Sequence, residues 1–109
     1  MNNNFGELFK RYRLRAEFTS LSDFANVFAE KGYFYELSTY CRWQKGRRIP
    51  TKRDILFSLT ALFIEHGAIT AIHEANDFLE SSGHGYFTKK ELEELFSFTL
   101  TTHLVLSTI

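Results

Sequence analysis

Apolar residues recur along this chain at intervals of three and four, and glycine-containing polar runs interrupt them at short distances. Phe5, Leu8, Phe9 and Tyr12 fall at i, i+3, i+4 and i+7. That spacing predicts a helix from about Asn4 to Ala16, with Lys10, Arg11, Arg13 and Arg15 largely outside the apolar stripe. Ser20-Leu21-Ser22-Asp23 offers an N-cap with an acid three residues on, and Phe24, Ala25, Val27 and Phe28 form the buried face of a second helix ending at Lys31-Gly32. An aromatic connector, Tyr33 to Tyr35, leads to a third helix opening at Leu37 and closed by Gly46, in which Tyr40 and Trp43 share a buried ridge.

Thr51-Lys52-Arg53-Asp54 reads as the start of a fourth helix, carrying Ile55, Leu56, Leu59, Leu62 and Phe63 up to His66-Gly67. A fifth helix is predicted over about Thr70 to Ser81. A sixth begins at the capping box of Thr88 and Glu91, with Leu92, Leu95 and Phe96 on its apolar side. Short connections between six such helices predict an all-α domain. The segment from Ser97 to Ile109 lacks Asp, Glu, Lys and Arg. Its Thr, Val and Ile lean towards strand, while Phe96, Leu100 and Leu104 would suit a continued helix. Such a neutral segment either folds back on its own core, frays as an end, mediates a homodimer contact or leads into a further domain.

Length and composition leave room for one modest core: 109 residues, 44% of them hydrophobic, with twelve Phe. The net charge is zero, but it is unevenly placed. Residues 1–53 hold eleven Lys/Arg against five Asp/Glu, and residues 54–109 hold two Lys against eight acids. A chain so divided presents a positive surface to a polyanion and an acidic surface elsewhere. The expected organisation is a basic unit over 1–66 and an acidic helical extension with an apolar tail over 67–109, packed on the first.

The segment Leu37 to Pro50 concentrates the candidate chemistry. With Tyr40 and Trp43 facing inward, Ser38, Cys41, Arg42 and Lys45 project from the other side, the layout of a helix that docks in a DNA groove. Arg42 is long enough for a bidentate contact to guanine, Ser38 serves base or phosphate, and Leu37 either packs on a thymine methyl or belongs to the core. Cys41 lies on the groove side, where a small thiol tolerates close DNA approach; a redox-active thiol beside two cations is the alternative. Lys45, Arg47, Arg48, Lys52 and Arg53 cluster around a turn and suit phosphate neutralisation, with Arg11, Arg13 and Ser20 as further phosphate contacts.

Ser38-Thr39-Tyr40-Cys41-Arg42-Trp43-Gln44-Lys45-Gly46-Arg47-Arg48-Ile49-Pro50, behind a second helix and a turn, resembles the helix-turn-helix of lambda-repressor-like (Xre-type) DNA-binding domains. In helix order the resemblance extends from Phe5 to about Phe63. It implies that Tyr40 and Trp43 are core, that Leu37, Ser38 and Arg42 face bases, and that Lys45, Arg47 and Arg48 lie near phosphates. The chain departs from the pattern in a longer turn, Glu30 to Glu36, and in Glu36 itself, which stands where a small hydroxyl residue usually caps the third helix. Glu36 must therefore either meet a cytosine amino group or turn away from DNA. The resemblance implies a bacterial or phage transcriptional regulator that binds duplex DNA; the uncharged segment from Ser97 to Ile109 and the acidic, Leu- and Phe-bearing sixth helix, both outside the resemblance, place an expected homodimer contact after Thr88. A protein-interaction module on the same fold, such as an antitoxin or adaptor segment, is the alternative.

Other chemistry finds little support in the sequence. His66, His73, His84 and His103 show no metal-ligand spacing, and His84 between two glycines lacks the rest of a phosphate loop. No enzyme class, cofactor or small-molecule ligand is expected. One cysteine excludes an internal disulfide, no apolar run approaches the length of a membrane span, and Met-Asn-Asn-Asn is no signal peptide, so a cytoplasmic location is expected.

Overall fold

Asn4 opens the first helix by accepting the Glu7 backbone N–H on its side chain at 2.8 Å. The computed structural model describes residues 4–97, and within them the chain is all-helical. The helices are α1 (Phe5–Arg15), α2 (Leu21–Glu30), α3 (Leu37–Gln44), α4 (Arg53–Glu65), α5 (Ile72–Ser81) and α6 (Lys89–Leu95). Ser20 caps α2 through the Asp23 N–H, and Thr88 with Glu91 closes a reciprocal capping box on α6.

Two expected starts are displaced. Thr51 does not cap α4; Lys52 holds that position without a side-chain cap, and α4 begins at Arg53. In α5, Thr70 lies before the helix, its N–H and hydroxyl both bound to Glu74 Oε1, and regular helix starts only at Ile72. A carboxylate reaching back to the chain ahead of the helix gives Thr70 a partner outside it. The expected strand or helix after Ser97 lies outside the described residues.

One core joins all six helices. The Phe9 ring of α1 meets Phe24 of α2 edge-on at 5.1 Å and Trp43 of α3 at 5.9 Å, and Tyr40 meets Phe24 at 5.1 Å. Phe78 of α5 stacks on Phe5 and contacts Phe63 of α4, so the acidic extension shares its core with the basic part. Offset and edge-to-face aromatic pairs add about 0.5–1.5 kcal/mol each beyond area burial. Leu95 of α6 is buried, Leu92 and Phe96 are partly buried, and α6 packs on α4.

α1 and α3 approach unusually closely. A Cβ on Gly6 would run into the Gln44 carbonyl oxygen and stand 3.0 Å from the Gly46 nitrogen, so only glycine admits the end of α3. Gly46 then terminates α3 with φ +72°, its N–H on the Trp43 carbonyl and the Arg47 N–H on the Arg42 carbonyl.

Candidate nucleic-acid interface

The third helix is oriented by its buried ridge. Tyr40 and Trp43 are almost fully buried, with ring centroids 5.0 Å apart, and burial pushes the Tyr40 phenol up to about 12. Burying that ridge leaves Leu37, Ser38, Arg42 and Lys45 exposed, while Cys41 is half-buried. Beyond the helix, Arg47, Arg48 and Lys52 are exposed as well. Among the described residues none of these cations takes part in an ion pair within 4.0 Å, so Arg42 is tied to neither Glu36 nor Asp54. Glu36 precedes α3 without making a side-chain cap.

Two residues expected at phosphates are engaged internally instead. Arg13 is only 5% exposed. Its Nη1 donates to the Phe18 carbonyl at 2.6 Å and its Nε to Gln44 Oε1 at 3.2 Å, binding the α1–α2 turn to the end of α3. Helical position alone placed Arg13 off the stripe, but α3 crosses that side of α1 and encloses it. Arg53 grips Glu91 with two hydrogen bonds, Nη2 to Oε1 at 2.7 Å and Nε to Oε2 at 2.9 Å, and also donates to the His84 and Tyr86 carbonyls. The guanidinium beside Glu91 holds that carboxyl down to about 2, against the opposing effect of burial. Arg53 therefore fastens α6 to α4.

The ion pairs among the described residues share a direction. Arg15–Glu74 (2.9 Å), Lys31–Glu65 (2.7 Å) and Arg53–Glu91 (2.7 Å) each run from the basic part of the chain to the acidic part. Part of the charge division thus stitches the extension on, and the exposed cations that remain are concentrated from Arg42 to Lys52, with Lys10 and Arg11 on α1 and Lys89 and Lys90 on α6. Ser20 has its hydroxyl oxygen on the Asp23 N–H at the start of α2.

The aromatic connector supplies further exposed surface. Tyr33 stacks on Phe28 at 4.5 Å and shares a hydrogen bond with Ser58, and Tyr35 lies against Tyr40 and Trp43. Between these two anchored rings Phe34 stands 81% exposed. Three aromatics in a row hinted at it, but only their packing separates the anchors from the exposed ring.

Among the described residues no cluster of His, Cys, Asp and Glu could hold a metal ion, and no helix is long and apolar enough to cross a membrane. Compared with protein-family models, curated proteins and solved structures, the chain matches none of them.

Proposed function

We propose that this chain is a sequence-specific, duplex-DNA-binding transcriptional regulator of repressor type, with its helices in the lambda-repressor-like arrangement and α3 reading the major groove. One observation carries this reading: burial of Tyr40 and Trp43 leaves Ser38 and Arg42 exposed together with Lys45, Arg47, Arg48 and Lys52, and none of these cations is in an ion pair among the described residues. On this reading Leu37, Ser38, Cys41 and Arg42 face bases, and the remaining cations neutralise phosphates. The setting is the cytoplasm of a bacterium or of a cell carrying a phage.

A single short helix contacts only a few base pairs, so useful specificity calls for two copies with recognition helices about one DNA turn, roughly 34 Å, apart. We place the homodimer contact after Thr88. Because Leu95 of α6 faces the chain's own core, the residues after Ser97 become its main candidates. Sedimentation of the full chain beside a version ending at Ser97 tests this; equal behaviour of the two overturns it.

The function itself is tested by electrophoretic mobility of random genomic fragments at several salt concentrations. Four phosphate-facing cations per copy give a dimer slope of log K against log salt of about −7 by counterion release. A flat dependence removes DNA as the main ligand. The second reading, a protein-interaction module, is favoured by exposed Phe34 beside partly exposed Tyr35 and Leu37, an apolar surface at the leading end of α3.

A further inference from the structure

An open cleft of about 400 Å3 separates one face of α3 from the start of α4. Its apolar lining comes from Trp43, Ile49, Pro50 and Ile55. Tyr35, Thr39, Arg48, Thr51 and Lys52 also line it. No carboxylate borders it, and neither cation is held by an ion pair among the described residues. A pocket in the range of about 300–1,000 Å3, mostly apolar and with a few convergent polar groups, is the usual form of a small-molecule site.

The lining selects the ligand. Tyr35, 40% exposed, offers an aromatic ring to a planar apolar body, with half-buried Ile49 and the more deeply buried Trp43, Pro50 and Ile55 completing the apolar lining, and Arg48 and Lys52 favour an anionic end over a neutral or cationic one. The phosphate-facing role assigned to Arg48 and Lys52 adds a consequence, since an anion held there occupies the groups that would meet DNA.

We propose that this cleft binds a small planar aromatic carboxylate, and that its occupancy competes with DNA for Arg48 and Lys52. The binding site stands on the cleft alone; the competition rests on the DNA-binding reading above. Trp43 is the only tryptophan in the chain and one of the lining residues, so its indole N–H supplies a single, unambiguous NMR signal beside the site.

The experiment titrates the full chain, without DNA, with 2-naphthoate, with uncharged 2-naphthamide and with acetate, following that indole signal. 2-Naphthoate is expected to shift it saturably, 2-naphthamide to bind at least tenfold more weakly, and acetate to leave it unmoved. The double variant Arg48→Ala/Lys52→Ala should keep the free indole position, showing an intact fold, and bind both naphthyl compounds equally weakly. An indole signal indifferent to 2-naphthoate, or equal affinity of the wild-type chain for acid and amide, overturns the site. So does a response confined to an acidic aromatic peptide, which would make the cleft a protein-docking surface.

A second arm measures mobility shifts with and without saturating 2-naphthoate, which should weaken DNA binding at least fivefold where 2-naphthamide does not. Unchanged DNA affinity with the ligand bound overturns the competition and leaves the site standing. If no DNA binds even without ligand, the functional reading and the competition fail together, and the indole titration decides the site independently.

Discussion

Arg53 and Glu91, 38 positions apart, are joined by a two-point guanidinium–carboxylate contact at 2.7 and 2.9 Å, and the same Glu91 Oε1 also accepts the Thr88 N–H that opens α6. One carboxylate thus starts a helix and anchors it. Arg53→Ala should destabilise the chain by about 1–2 kcal/mol, a partly exposed pair being screened by solvent. On the proposed DNA-binding role it should leave mobility shifts unchanged, whereas Arg47→Ala/Arg48→Ala should lower affinity for all sequences alike. Urea unfolding beside mobility shifts reads both.

The same pair makes stability fall in acid. Glu91 titrates at about 2 in the folded chain against an ordinary value of 4.5, so the unfolded chain takes up its proton first. The contribution is fully present above about pH 4.5 and is lost as pH falls towards 2. Glu74 adds in the same direction: burial raises it, but the Thr70 N–H and Arg15 outweigh that and hold it below its ordinary value. Unfolding midpoints measured from pH 6 to 2 should decline, and Arg53→Ala should flatten the decline; an unchanged slope in that variant would exclude Glu91 as its source.

Arg13→Ala should cost about 2–4 kcal/mol, because it strands the Phe18 carbonyl and the Gln44 side chain in a largely enclosed site. Arg13→Lys should recover little of this, since one ammonium cannot reproduce the planar fork that reaches both. A chemical-denaturation series of the three proteins is the check, and wild-type stability of Arg13→Ala would return Arg13 to the surface.

Gly6→Ala sets two effects against each other. Alanine favours a helix interior by about 1 kcal/mol over glycine. The added methyl, however, meets the Gln44 backbone rather than a movable side chain. Overpacking of this kind costs about 1–3 kcal/mol. The expected net result is destabilisation, seen as a lower thermal midpoint, with a displaced Trp43 indole signal reporting the shifted end of α3.

Arg42→Ala and Trp43→Ala, adjacent in sequence, should separate cleanly. Trp43→Ala opens a core cavity and should cost about 3–5 kcal/mol. Arg42→Ala should leave the unfolding midpoint within about 0.5 kcal/mol of wild type, as exposed substitutions do. If α3 reads DNA as proposed, it should also relax base preference at one position of each half-site. Reversal of the two stability effects would mean that α3 is turned the other way.

The helices were legible in the sequence because their signals are local. A three- and four-residue apolar period, Asn4, Ser20 and Thr88 at helix starts and Gly46 at a helix end depend on residues within one or two turns. The outward direction of Arg42 followed from Tyr40 and Trp43 on the same grounds. What packs against a given side of a helix is not local, and only the tertiary structure decided it. Arg13 and Arg53 look like their cationic neighbours until α3 covers the first and Glu91, the turn before α6 and its carbonyls claim the second. Charge count likewise could not distinguish bases paired with acids of α4, α5 and α6 from those left exposed between Arg42 and Lys52, because an ion pair depends on where two distant segments meet in space.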